Sequence, residues 1–199
     1  MLDNPLREIK EQILTPAAKR VGKYMHPTTL SLIGFSVGVG AGLAAWGEYY
    51  ALGFLLWIIN RFIDGLDGTV ARMYHKQSDF GGYVDILLDF GIYAWIPVSL
   101  VLDNTSEAML AALFLLSTFY INAASWSFLA AIIEKRGLSN PDKKTSITMP
   151  TGLIEGAETV IFYGMFFLLP GKIVILFSIM GGLVILTILQ RLIWAGQHL

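Results

Sequence analysis

Residues 64–89 read DGLDGTVARMYHKQSDFGGYVDILLD, and they set the carboxylates of Asp64, Asp67, Asp85 and Asp89 in a chain that is otherwise oil-like. Of its 199 residues, 55% are hydrophobic and 15% charged, which would leave a soluble domain of this length short of polar surface. Within the block the spacing is helical on both sides of a polar turn. Asp64 and Asp67 lie three apart and Asp85 and Asp89 four apart, so each pair projects from one helix face and the two faces can meet across the turn.

Working outward from this pair of helices, the apolar stretches are long enough to cross a bilayer. A span of ~30 Å of hydrocarbon takes ~20 helical residues, and helices satisfy their own backbone groups without water. Six stretches qualify: 27–46, 50–73, 80–102, 108–133, 151–169 and 172–195. The predicted fold is therefore all-α, a polytopic membrane protein with six transmembrane helices. Alternate polar breaks fall on alternate sides. Of 14 lysines and arginines, Lys172 alone falls on the opposite side from the rest, so the positive-inside rule puts both termini and the 73–79 and 134–150 connections in the cytoplasm. The N-terminal residues lack the apolar core of a secretory signal, leaving targeting to the first span. Leu6, Ile9, Ile13 and Leu14 recur at helical spacing among charges, which suits an amphipathic helix lying in the interface over 1–24. A single domain over 1–199 is expected, with the six-helix core at 25–199. Net charge of −1 gives no pull toward nucleic acid, and the absence of cysteine removes disulfides, zinc-thiolate sites and thiol nucleophiles.

Carboxylates gathered in a partly dehydrated place repel unless they share protons or bind a cation. Hard oxygen donors favour magnesium, manganese or calcium over zinc, and a magnesium ion held by few carboxylates keeps waters or phosphates as its other ligands. Gly65, Gly68 and Ala71 on one helix, and Gly81 and Gly82 at the start of the next, read individually as helix-packing residues. Interleaved with acids and joined by Arg72, a partner for phosphate oxygens, they read as room for a nucleotide above a metal-diphosphate site.

The set Asp64, Asp67, Gly68, Ala71, Arg72, Gly81, Asp85 and Asp89, at these spacings, resembles the signature of the CDP-alcohol phosphatidyltransferases. The resemblance implies a membrane enzyme of phospholipid biosynthesis that moves the phosphatidyl group of a CDP-linked lipid, usually CDP-diacylglycerol, to an alcohol with release of CMP. It implies Asp64, Asp67, Asp85 and Asp89 as ligands of two magnesium or manganese ions, Asp89 mainly as the base toward the acceptor hydroxyl, and Gly68, Ala71, Arg72 and Gly81 along the CDP moiety. It also implies a homodimer.

The acceptor side is less marked. Glu155 and Glu158, three apart near the mouth of the fifth span, resemble a family pattern for inositol phosphate, but Gly156 and Thr159 stand where arginines would accompany it. A phosphorylated acceptor is discounted accordingly, and the glutamates suit hydroxyl groups or an amino alcohol. Lys143 and Lys144 in the preceding loop are further acceptor-site candidates, or ordinary positive-inside residues. Thr28 and Thr29 after Pro27 read as helix caps or as a nucleotide contact. His75 reads as a solvated turn residue, and Asn122, Ser125 and Ser127 as interhelical hydrogen-bonding groups. Three rivals remain: a magnesium-dependent membrane prenyltransferase, which resembles a longer chain with two separated acidic motifs; a non-enzymatic divalent-cation transporter, which leaves the Gly-Ala-Arg positions without a role; and a catalytically silent structural relative, against which the intact aspartate set argues.

Overall fold

Pro27 opens the first long helix because its ring fixes φ and its missing N–H falls where an intrahelical donor has no partner. The computed structural model describes residues 13–137 and 152–199. In it, a helical segment α1 over residues 13–21 leads into α2, Pro27–Trp46. Then follow α3 (Tyr50–Met73), α4 (Asp79–Ser99), α5 (Ser106–Lys135), α6 (Gly156–Leu168), a 3-10 turn at Pro170–Lys172 and α7 (Ile173–His198). The described residues contain no strand.

Local chemistry sets the ends. The α2 cap is His26, whose Nδ1 accepts the Thr28 N–H at 3.4 Å, so the cap expected of Thr28 or Thr29 falls one residue before Pro27. Ser78 Oγ accepts the Gly81 N–H at 3.0 Å to start α4, and Thr105 Oγ1 accepts the Ala108 N–H at 3.3 Å to start α5. Between α3 and α4 the chain reverses through exposed His75, whose φ of 51° lies in the left-handed region, in keeping with a turn residue.

Helices α2, α5 and the stretch Pro170–His198 are long and apolar enough to cross a membrane. Helices α3 and α4 have 24 and 21 residues but carry the charged block. The span expected at 151–169 contains a helix of only 13 residues, about 20 Å long. It starts at Gly156 because Glu155, its N-cap, is extended, and it stops at Leu168 because Leu169 precedes Pro170, which disfavours α geometry.

Segment α1 is more firmly attached than a helix merely lying on the membrane. Leu14 and Ala18 are buried against Leu30, Leu66 and Val70, and the Tyr74 hydroxyl donates to the Lys19 carbonyl at 3.0 Å. Ile13, expected on the apolar face, is 62% exposed, and Leu6 and Ile9 lie outside the described residues.

Helix α2 packs along both α3 and α4, α5 along α7, and α3 against α6, whereas α3 and α4 scarcely approach each other directly. Glycines allow the double contact. A Cβ on Gly34 would stand 3.2 Å from Ile63, one on Gly38 would meet Ile92 at 2.7 Å and Asn60 at 2.9 Å, and one on Gly42 would meet the Trp95 indole at 2.1 Å. The small residues of this span therefore serve contacts inside the chain. Between the helices lies an aromatic layer: Trp57 stacks on Tyr163 at 5.3 Å, Tyr163 meets Phe166 at 5.0 Å, and Phe166 meets Phe177 edge-on at 4.7 Å.

Gly42→Leu is expected to force Trp95 out and break its N–H bond to the Val39 carbonyl, 3.1 Å long, costing about 1–3 kcal/mol; thermal unfolding of the purified protein in detergent checks this.

Candidate functional site

The turn at 74–78 makes α3 and α4 antiparallel, so residues counted back along α3 face residues counted forward along α4. Asp64, Asp67, Asp85 and Asp89 all line one small cavity, floored by Ser31, Gly34 and Phe35 of α2. Its volume of about 10 Å³ is room for roughly one water molecule. The lateral gap between α3 and α4, held open by their separate packing on α2, is what gives four acids a common space.

The carboxylates are held unequally. Ser31 donates to Asp67 at 2.6 Å while Asp67 is buried, 4% exposed. Arg61 donates to Asp89 at 2.8 Å and stands 3.7 Å from Asp64, a Coulombic neighbour beyond hydrogen-bond length. The Arg61 guanidinium is itself fixed by Asn60 Oδ1 at 2.8 Å, by the Tyr93 hydroxyl at 3.0 Å and by the faces of Trp57 and Tyr93, with centroids at 4.7 and 5.3 Å. Buried Asn60 donates in turn to the Gly34 carbonyl at 2.8 Å. A chain of contacts thus runs from the glycine face of α2 through α3 to the acid on α4.

The donor set suits a hard divalent cation in kind and place: four carboxylates and a hydroxyl around one cavity. It is not a ready-made ligand shell, because among the described residues no three Asp, Glu or His groups stand together as metal ligands. Arg61 and Ser31 draw Asp89 and Asp67 toward protein partners, so convergence on an ion requires side-chain rotation.

The expected nucleotide positions lie outside this cavity. Gly68 sits beside Arg72, whose Nη1 would be 3.4 Å from a Cβ there, and Arg72 is exposed. Gly81 stands at the first turn of α4, where a Cβ would come within 4.0 Å of Thr28 Oγ1, so the entrance of α2 adjoins this turn. Ala71 is half-buried one residue before Arg72.

On the acceptor side Glu155 and Glu158 form a capping box. Glu155 is the N-cap of α6, and its own N–H donates to Glu158 Oε2 at 3.2 Å. Both side chains are thus engaged in starting a helix, and neither lines the carboxylate cavity. Lys143 and Lys144 lie outside the described residues. Sequence reasoning passed over Arg191 of α7, which is 6% exposed and donates to Asn122 of α5 at 2.5 Å; its Nε is buried without a hydrogen-bond partner among the described residues. Asn122 accordingly makes the interhelical bond expected of it. Nearby, Thr187 Oγ1 accepts the Ile154 N–H at 3.0 Å, tying the segment before α6 to α7. Arg61, Asn60 and Tyr93 were passed over as well. The signal for Arg61 was a charge in the apolar run "WIINRFI", three residues before Asp64.

The family model described as CDP-alcohol phosphatidyltransferase matches residues 24–195. The inner membrane protein YnjF of Escherichia coli (strain K12) is 33% identical over 199 residues, covering 98% of this chain and 95% of that protein. The archaetidylinositol phosphate synthase of Methanothermobacter thermautotrophicus is 24% identical over 201 residues, with 98% and 95% covered. Among solved structures, the phosphatidylinositol phosphate synthase PgsA1 of Mycobacterium tuberculosis with CDP-DAG bound shares the fold, with a TM-score of 0.70, 18% identity, and 91% of this chain and 92% of that chain covered. The same protein in complex with manganese and citrate gives 0.67 at 20% identity, with 90% and 87% covered.

Glu158→Ala is expected to remove one arm of the capping box and cost about 1 kcal/mol, and Glu158→Gln, which keeps the acceptor oxygen, to restore most of it; thermal unfolding of the three proteins makes the comparison.

Proposed function

The chain belongs to the CDP-alcohol phosphatidyltransferase family, and we propose that it transfers the phosphatidyl group of CDP-diacylglycerol to an alcohol and releases CMP, with its site open to the cytoplasm. The observation that carries this reading is the convergence of all four motif aspartates on one cavity between α3 and α4. A prenyltransferase or a cation transporter gives no account of the family match along 24–195.

In this reading Asp64, Asp67 and Asp85 would hold divalent metal, magnesium or manganese, and two ions would suit a diphosphate. Bound there, the metal supplies positive charge that offsets the diphosphate and the leaving phosphate. The acceptor hydroxyl oxygen attacks the phosphorus that carries diacylglycerol. The bond from that phosphorus to the bridging oxygen breaks, CMP leaves with the electron pair, and the hydroxyl proton passes to the Asp89 carboxylate. Arg72, beside Gly68 at the cytoplasmic end of α3, offers its planar donors to the phosphates of the nucleotide. Gly68 on α3 and Gly81 on α4, having no side chains, leave clear the space that CDP would occupy.

We take helices α2 to α7 to be the six spans, α6 being short; three of them are long and apolar enough to cross by themselves. Lysines and arginines of the described residues cluster at the end of the bundle where the aspartates lie, which supports the cytoplasmic orientation. We take the protein to be one domain and a homodimer on family grounds. A phosphate-bearing acceptor is the second reading, and Arg191 favours it: a buried cation whose Nε has no hydrogen-bond partner among the described residues supplies the positive charge that Gly156 and Thr159 do not.

Purified protein in lipid with CDP-diacylglycerol, magnesium and a panel of serine, ethanolamine, choline, glycerol, glycerol phosphate, inositol and inositol phosphate is expected to release CMP with one acceptor and to stop on chelation. No CMP with any of them would count against the reading. Asp67→Asn and Asp85→Asn are expected to abolish turnover in protein that still purifies as a folded species, and full activity in either would remove its metal role. If the acceptor carries phosphate, Arg191→Met is expected to raise its KM about tenfold or more, as loss of a charge-assisted contact of ~1.4 kcal/mol would; an unchanged KM would remove Arg191 from acceptor binding.

A further inference from the structure

We propose that the basic cleft at the end of α1, lined by Lys19, Arg20, Lys23, Tyr24 and Tyr74, holds the phosphate headgroup of an anionic phospholipid from the leaflet at the aspartate end of the bundle. The cleft has a volume of about 380 Å³, room for a phosphate and the glycerol that carries it, and its lining contains three cations and no acid. Lys19, Arg20 and Lys23 are exposed and form no ion pair with a described carboxylate. Like charges around one space repel, and an anion between them relieves the repulsion. Cations near the end of a helix have an ordinary use as partners of its last carbonyls. Here other donors fill that use. The Ala18 carbonyl accepts the Gly22 N–H at 2.9 Å, the Lys19 carbonyl the Tyr74 hydroxyl at 3.0 Å, and the Val21 carbonyl the Tyr24 and Met25 N–H groups, both at 3.0 Å.

One wall of the cleft is fixed. Gly22 is buried so close to Tyr74 that a Cβ there would stand 2.3 Å from the ring, while Lys76 Nζ lies 5.5 Å from the ring centroid and 3.4 Å from the Gly22 carbonyl. The cleft is also separate from the carboxylate cavity. Leu66 and Val70 pack on Leu14 and Ala18 of α1, and each lies two residues beyond a motif position, Asp64 and Gly68 respectively. Two residues turn a helix by about 200°, so α3 presents its motif to one side and carries α1 with its cations on the other. Depth fits a headgroup. Tyr24 is 87% exposed and stands three residues before Pro27, where a helix long and apolar enough to cross a membrane begins. Tyrosine, lysine and arginine at that level meet lipid headgroups, and lipid phosphates are concentrated there, which favours a lipid over a soluble anion as the occupant. The lipid is held with no bond made or broken, whatever reaction the carboxylates carry out.

Native mass spectrometry of the full chain in detergent, titrated with dioleoylphosphatidylglycerol and separately with dioleoylphosphatidylcholine, gives the affinity for each lipid. Wild type is compared with Lys19→Gln/Arg20→Gln/Lys23→Gln and with Lys135→Gln/Arg136→Gln, which removes charge at the same end of the bundle but from the end of α5. Wild type is expected to hold phosphatidylglycerol about tenfold or more tighter than phosphatidylcholine, the triple variant to lose that preference and the double variant to keep it. Three results would each overturn the proposal. The first is equal affinity of wild type for the two lipids. The second is a preference intact in the triple variant, which would put phosphatidylglycerol elsewhere, the carboxylate cavity included. The third is an equal fall in the double variant, which would make the preference a property of the whole charged end and of no one site. Inorganic phosphate is a further arm, and its displacing phosphatidylglycerol at equal concentration would make the occupant a soluble anion and overturn the lipid assignment. Should the triple variant not yield folded protein, Arg20→Gln and Lys23→Gln are each expected to weaken phosphatidylglycerol about fivefold and leave phosphatidylcholine unchanged; no change in either would overturn the site as well.

Discussion

Close approach of two helices to the same face of α2 is the constraint on which the rest depends. Lipid offers helices no reward for excluding water from one another, so they associate where backbones can come near. Gly34, Gly38 and Gly42 supply that nearness to α3 through Ile63 and Asn60 and to α4 through Ile92 and Trp95. Because both helices are spoken for by α2, they stand apart from each other, and the space between them is filled with side chains instead of backbone. A bundle in which α3 and α4 met directly would have no room for the acids.

What fills the space is graded along its length. At its deeper end Trp57, Tyr93 and Tyr163 form an aromatic layer, then comes the guanidinium of Arg61, then the carboxylates, with the turn at 74–78 joining the two helices beyond them. Arg61 is the joint between the two chemistries. Its faces belong to the aromatic layer and its edge to the acids, a division that a planar cation permits and an ammonium does not. Charge inside an apolar bundle is thereby tied to packing: the side chains that orient Arg61 are the same ones that fill the core.

Much of this was legible in the sequence. Helix ranges for α2, α3 and α7 follow from apolar run lengths, and the pairing of the two aspartate couples follows from spacings of three and four around a turn. The parts that were not legible depend on contacts between residues far apart in the chain or on atypical local chemistry. Arg61 reads as one more positive charge until Asp89, 28 positions on, is brought beside it. His26 and Glu155 are uncommon as caps, so Thr28 drew attention at one helix start and the two glutamates read as acceptor ligands at another, although a glutamate three residues after the cap is itself the mark of a capping box. Arg191 was hidden because its partner, Asn122, lies on α5, 69 positions away. Charge sums could place it on a side of the membrane but not in the contact between α5 and α7.

The brevity of α6 has a consequence for the bilayer itself. Thirteen residues reach about two-thirds of the way across a typical hydrocarbon layer. Lipids beside such a helix are matched to it by local thinning, at a modest cost in elastic energy. The irregular backbone at 152–155, anchored to α7 through Thr187, leads into that short helix. Set across a bilayer, a helix that stops early would draw the water boundary inward at one edge of the bundle.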